Sequence, residues 1–447
     1  MENKDTKEKL LREFAPQLEK TSSATLIWIL FLLGVIGWGV YAFITQVTQG
    51  HIVTGMRDNV VWGIYIVNFI FFMGMSYAGA IVSGTLHLFR TEWRKPIIRM
   101  AEYLAIISLL IGPGYILLCI GRLDRLYYLA LFGRIQSPIT WDVIAISTDI
   151  FGCLIFLYLS ILRDIASLRD FSELKIPAWR KKIYSVLALG YTGTPEQEQR
   201  LRRATDIMAT MVIAIAIIVY SVLAWIFSVT LQPGWHSTIF GPYFVIAAVY
   251  SGTAVLIIAM WVFRKVYHLE LHITRKHFVA MGVVMVVLAA LFGYFTFSDY
   301  LTKWYGSEKN DESLIKILFT EYYWPFIFSN YIGVLIPLLV VGIPKLRTIT
   351  NISLSAIVVI VALWFNRYLI VIPTLESPYL PIQDSRPEWA NYSGTWVEFA
   401  LMAAGVALFC LLYTLASKFV PVMNVSEMSE TPKTESPQIF KAEESLL

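Results

Sequence analysis

Charge is scarce in this chain. Charged residues make up only 15% of its 447 residues, while 57% are hydrophobic. A soluble domain carries about 25% charged and about 45–50% apolar residues. Mean hydropathy is +0.62, which excludes an ordinary soluble domain and a disordered chain. Cysteine is scarcer still. Cys119, Cys153 and Cys410 all lie in apolar runs and no C-x-x-C exists, which argues against a disulfide framework, a zinc site or a chain-encoded iron–sulfur cluster. Histidine is equally sparse in the apolar runs. Of the six (His51, His87, His236, His268, His272 and His277), only His87 and His277 fall in one, each within three residues of its end. A bis-histidine haem needs pairs on facing helices, so neither haem nor another metal is expected. No Lys/Arg stripe marks a nucleic-acid surface. The first 23 residues are polar and lack an early apolar core, so no signal peptide is expected.

What the chain has in quantity is long apolar stretches. A bilayer core about 30 Å thick needs roughly 20 apolar residues per helix. Ten runs meet that length: 24–47, 61–89, 99–121, 138–163, 204–231, 237–263, 275–298, 323–342, 351–373 and 395–417. The expected fold is all-α and polytopic, with a 24–417 membrane domain between an N-terminal segment (1–23) and a disordered tail (418–447). Lysine and arginine divide unevenly between alternate loops. One side, which includes both termini, holds 27 and the other holds 8, with Arg367 inside a helix. The positive-inside rule then places both termini in the cytoplasm. A short interfacial helix is expected near 178–190. The segment after Glu427, rich in Ser, Thr, Glu and Pro, reads as disordered.

A faint repeat is visible. Trp62-Gly63-Ile64-Tyr65 opens the second run and Gly74 follows; Phe240-Gly241-Pro242-Tyr243 opens the sixth and Gly252 follows. Both runs cross in the same direction. That suggests a parallel repeat, with runs 2–5 and 6–9 forming two four-helix bundles.

Ionisable residues inside hydrocarbon are costly and mark candidate sites. Asp142 lies near the outer end of the fourth run. Asp149 is two helical turns deeper on the same face, about 10 Å away. Cys119 and Arg122 close the third run at the depth of Asp142. Trp62, Tyr65, Asn68 and Phe69 open the second, and spacings of three and four put Tyr65, Asn68, Phe69 and Phe72 on one face. Such a group suits a quinone, which needs an apolar or aromatic slot, a donor for each carbonyl and an acceptor for quinol protons. The alternative is that Asp142 pairs with Arg122 only to satisfy both charges, and that Trp62 and Tyr65 are interfacial belt residues. Gly112-Pro113-Gly114 should kink the third helix beside this pocket. Glu102, Asp206, Asp299, Arg367 and Glu398 are further polar residues within the runs. Arg367 and Glu398 are placed to pair, and Glu102 and His87 both sit near the inner surface.

Several stretches resemble the NrfD/PsrC family of polytopic quinone-interacting membrane subunits, and among them are most similar to the ActC subunit of alternative complex III. They are Trp62 to Gly79 (WGIYIVNFIFFMGMSYAG), Ser137 to Thr148 (SPITWDVIAIST), Leu187 to Gly193 (LALGYTG) and Gly234 to Gly252 (GWHSTIFGPYFVIAAVYSG). Trp304-Tyr305-Gly306, Arg367 to Thr374 (RYLIVIPT) and Phe419 to Met428 (FVPVMNVSEM) continue the match. The resemblance implies two bundles with flanking helices and a periplasmic iron–sulfur partner, with a further molybdoenzyme-like or cytochrome c partner beyond it. It implies a menaquinone site at the outer end of helices 2–5, in the cytoplasmic membrane. Asp142 falls on the family's Trp-Asp motif and Arg122 on its Gly-Arg. The chain departs from the pattern just before that Gly-Arg, where Cys119-Ile120 stands in place of a histidine. Two other function classes remain open at this stage: a secondary transporter with parallel repeats, and a structural anchor whose pocket holds lipid.

Overall fold

The computed structural model describes residues 2–89, 92–230, 232–306, 308–377 and 391–429. Among them the chain is helical, without strands, and ten helices are long and apolar enough to cross a membrane. In chain order they are α1 (Ser23–Gln49), α2 (Gly63–Phe89), α3 (Ile98–Cys119), α4 (Pro138–Asp170), α5 (Pro195–Ser228), α6 (Phe240–Val266), α7 (Arg275–Gly306), α8 (Tyr323–Gly342), α9 (Ile349–Leu375) and α10 (Trp396–Phe419).

Their ends differ from the apolar runs for local reasons. α5 begins at Pro195, well before the apolar run. Thr194 caps it by accepting from Gln197 N, Pro195 sits in the first turn, and Glu196 and Glu198 follow. Each of these favours a helix start. α10 starts at a capping box made by Thr395 and Glu398. Pro113 lies within α3, and α8 is interrupted by a π-helical turn, Phe328–Ile332.

α2 is the central helix and buries almost its whole length. It packs on α3, α5, α6 and α9. α4 packs on α3 and α5; α6 packs on α5, α7 and α9; α8 lies between α7 and α9; α1 and α10 pair at the flank beside α3. The two glycines of the faint repeat meet at the α2–α6 crossing. A Cβ on Gly252 would collide with the side chain of Ala78, and one on Gly74 would sit 3.3 Å from Ala248 Cβ. Small residues let the backbones close here, as in membrane helix pairs generally.

The basic end is capped by short elements. The helix Glu2–Glu19 lies against α10 and the helix Val425–Met428. The interfacial helix expected near 178–190 is Ala178–Leu187. Arg180, within it, donates to Leu18 O at 3.0 Å and to Phe419 O at 3.1 Å. The expectation of a disordered tail from 418 is corrected for its first part. Val422, Met423 and Val425 are fully buried, and Ser426 N donates to Asp164 Oδ1 at 2.9 Å. These apolar residues complete the base of the bundle, which is why the chain continues to pack past α10. Residues 430–447, the rest of that tail, lie outside the described residues.

Candidate functional site

Two groups of side chains form, one at the less basic end and one reaching from there to mid-membrane, where the sequence suggested one. The first gathers around Tyr65. Its buried hydroxyl donates to Gln46 Oε1 at 2.6 Å, and Gln46 Nε2 donates to Leu118 O at 2.8 Å. Tyr65 thereby ties α2 to α1 and α3. Cys119 Sγ approaches Trp62 O at 3.7 Å. The electrostatic neighbours of Tyr65 are Glu398, Cys119 and Tyr115. Phe69 is buried, and Phe72 stacks on Tyr115 with centroids 5.7 Å apart. Asn68 turns the other way, accepting from Trp364 Nε1 of α9 at 2.9 Å, while its Nδ2 has no partner.

The second group holds the acids. Asp149 is fully buried in α4. Its Oδ1 accepts from Cys153 Sγ at 3.4 Å, and its Oδ2 has no hydrogen-bond partner. Asp142, seven residues outward, is half-buried and has no hydrogen bond or ion pair among the described residues. Both carboxylates face Tyr77 of α2, whose electrostatic neighbours are Asp149, Asp142, Tyr220 and Cys153. Tyr77 and Tyr220 lie with ring centroids 4.7 Å apart, and the Tyr220 hydroxyl is also unpartnered. Above them Trp62 stacks on Trp235 with planes 6° apart at 6.0 Å, and Phe227 meets Trp62 edge-on at 5.8 Å.

Two pairings that the sequence left open do not form. Arg122 is not the partner of Asp142. Its exposed guanidinium holds Asp124 at 2.7 and 2.9 Å, because the turn after α3 brings the nearer acid round first. Arg367 does not pair with Glu398. Glu398 accepts from Gly55 N, Thr395 N and the Tyr392 hydroxyl, which fills its acceptor positions. Arg367 is instead buried over the Phe244 ring at 4.7 Å, with both terminal nitrogens unpartnered.

Tyr77 and Tyr220 are candidate residues that periodicity alone passed over. They sit in apolar runs and read as core. His51 is another. Its imidazole lies beside Gly121, about where the Gly-Arg turn lacks a histidine. A Cβ on Gly121 would be 3.7 Å from His51 Cδ2 and 3.8 Å from Nε2. Burial lowers the pKa of His51 below its ordinary 6.5, partly offset by Glu398.

Polar residues continue towards the basic end. Buried Arg99 bridges Glu102 at 3.4 Å and Asp164 at 3.0 Å. His87 lies 3.0 Å from Asp206, and Glu427 lies 3.5 Å from Arg94. In the other half Asp299 pairs with Lys303 and accepts from Ser237.

Comparison with known proteins gives one family and several relatives. A model of the family described as "Polysulphide reductase, NrfD" matches residues 52–377. The chain is 30% identical over 233 residues to a putative dimethyl sulfoxide reductase membrane subunit of Halobacterium salinarum. That match covers 52% of this chain and 49% of that protein, so it spans about half of each. It is 20% identical to a selenate reductase subunit of Mesobacillus selenatarsenatis, over 90% of this chain and 95% of that one. It is 22% identical to an Hdr-like menaquinol oxidoreductase integral membrane subunit of Archaeoglobus fulgidus, over 86% and 93%.

Proposed function

The chain belongs to the polysulphide reductase NrfD family, and from that premise we propose that it is the quinone-handling membrane subunit of a multisubunit oxidoreductase. It exchanges electrons between menaquinone and a partner that carries iron–sulfur clusters. The partner docks at the less basic end, which faces the periplasm, and the basic end with both termini faces the cytoplasm. A menaquinol oxidoreductase subunit among the relatives supports the choice of quinone.

One observation carries the reading. Asp149 is fully buried with one carboxylate oxygen unsatisfied, and Asp142 stands on the same face two turns nearer the aqueous end. An unsatisfied buried polar group costs about 1–3 kcal/mol, and a carboxylate at mid-membrane costs more. Packing alone gives no return for that cost. A proton acceptor beside a quinol does, because oxidation must release protons. Trp62, Phe227 and Trp235 pack on one another as an apolar aromatic wall at the outer end, beside which a quinone ring enters. Bound quinone supplies the two-electron chemistry. Asp142 takes the proton from the quinol hydroxyl, and Tyr77 and Tyr220, deeper along the same face, relay to Asp149. Arg99, Glu102 and Asp164 extend a polar route towards the basic end and support coupling to proton movement.

A transporter with parallel repeats would carry broken helices in matching positions of both halves. The break in α8 has no counterpart in α4, which runs uninterrupted from Pro138 to Asp170. A photoreactive menaquinone analogue tests the proposal. Labelling of α2, α4 or α5 peptides that contain Trp62, Asp142 or Tyr220, blocked by excess menaquinone, is expected. Labelling confined to the lipid-facing surface would leave the pocket as a lipid site in a structural anchor.

A further inference from the structure

At the less basic end, away from the acids of α4, three side chains from two distant segments converge. His236 lies in the loop before α6. Glu308 and Asp311 open the helix Lys309–Thr320. Their ligand atoms all lie within 4.8 Å of one another. His236 Nε2 is 3.9 Å from Glu308 Oε2 and 3.8 Å from Asp311 Oδ2.

The geometry points to a binding site for one zinc-class divalent cation, held by His236, Glu308 and Asp311. Ligands about 2.0–2.2 Å from a tetrahedral zinc lie roughly 3.3–3.6 Å apart. The two His236 separations exceed that by only a few tenths of an ångström. One imidazole with two carboxylates suits zinc, cobalt or nickel; magnesium and calcium prefer oxygen ligands alone.

The surroundings are built in the manner of a site. Asp311 is buried, and its Oδ1 accepts from Gly234 N at 3.0 Å. That bond fixes the carboxylate and leaves Oδ2 for a cation, the outer-shell arrangement usual in metal centres. Gly234 needs its glycine. Its φ is +82°, and a Cβ there would sit 2.6 Å from Leu314 Cδ2. On the other side of His236, Ser237 is bonded to Asp299 at 2.5 Å. Lys303, whose Nζ lies 3.6 Å from where a Cβ on Gly234 would be, is also engaged by Asp299. Trp235, next to His236, is buried and donates to Ile370 O at 2.8 Å. A bound cation would therefore clamp the Lys309–Thr320 helix to the loop that carries Trp235, which packs on Trp62 and Phe227.

The competing account is that both acids sit in a helix first turn because the helix dipole favours them there. Titration with zinc chloride separates the two. The full-length protein, purified without a polyhistidine tag and stripped with chelator, is titrated by calorimetry and by thermal melting. The expected result is one saturable equivalent of zinc, unaffected by excess magnesium, with a rise in melting temperature. His236→Gln, Asp311→Asn and the exposed Glu308→Gln should each weaken that equivalent by at least the ~10–100-fold that an outer-shell loss costs. Asp311→Asn keeps an oxygen for Gly234 N, and the unliganded melting temperature of Glu308→Gln checks folding. Absence of a saturable equivalent, or one unchanged in all three variants, would overturn the proposal.

Discussion

Cys153 donates its thiol to Asp149 Oδ1 at 3.4 Å, one helical turn along α4, and leaves the second carboxylate oxygen without a partner. The pair lies on the face of α4 turned towards Tyr77 and Tyr220. A carboxylate held from one side and open on the other is placed to take and release a proton without moving far.

Asp149→Asn follows from that geometry. The amide oxygen keeps the Cys153 contact and the volume is unchanged. Turnover with menaquinol should fall by about tenfold or more, the loss of roughly 1.4 kcal/mol of transition-state stabilisation. Affinity for a competitive quinone analogue should change less than twofold. Equal loss in both would move Asp149 from proton relay to ligand contact.

The packed C-terminal segment predicts a boundary. A chain stopped after Ser429 keeps Val422, Met423 and Val425 buried and retains the Ser426–Asp164 and Glu427–Arg94 contacts. It should melt with the full chain. Stopping after Val420 removes those buried side chains, each worth about 1.5–3 kcal/mol, and leaves Asp164 and Arg94 short of partners. The purified protein should then melt several degrees lower.

His51 gives a pH dependence. Its folded pKa lies below the ordinary 6.5 because burial disfavours the imidazolium. The native state therefore binds fewer protons than the unfolded state as pH falls. The His51 contribution is fully present above pH 6.5 and is lost as pH drops through the folded value. His51→Gln should flatten the acid side of the melting-temperature profile and leave the profile above neutrality unchanged. An unaltered acid limb would show that other groups set it.

Arg367 is buried with both terminal nitrogens unpartnered. Arg367→Met fills similar volume and removes two unsatisfied donors, at the loss of a cation–π contact worth about 2 kcal/mol when desolvated. The melting temperature should hold or rise. A fall of many degrees would mean that a bound anion or water satisfies the guanidinium in the native protein.

The ten spans were legible because hydropathy over 20 residues is a strong signal. Their ends were less so, since α4 and α5 extend into the basic end on helix-compatible polar residues such as Arg163, Glu196 and Glu198. The shared face of Asp142 and Asp149 followed from helical periodicity. Which face of α2 they meet did not. Tyr65 and Tyr77 are twelve residues apart, about 120° round the helix, and only packing decides which one turns towards α4. The partner of Arg122 was not legible for a related reason, because spacing gave no hint that the turn would fold Asp124 onto it. The His236 group was invisible because its ligands come from segments more than 70 residues apart.

The most direct test of the central claim is Asp142→Asn, with complex yield and menaquinol oxidation measured on the same preparation. Asp142 is half-buried and has no hydrogen bond or ion pair among the described residues, so Asp142→Asn breaks no contact among them. The account predicts full yield with menaquinol oxidation cut by roughly five- to 150-fold, the equivalent of losing about 1–3 kcal/mol from one buried polar contact. Full yield with full menaquinol oxidation would contradict it.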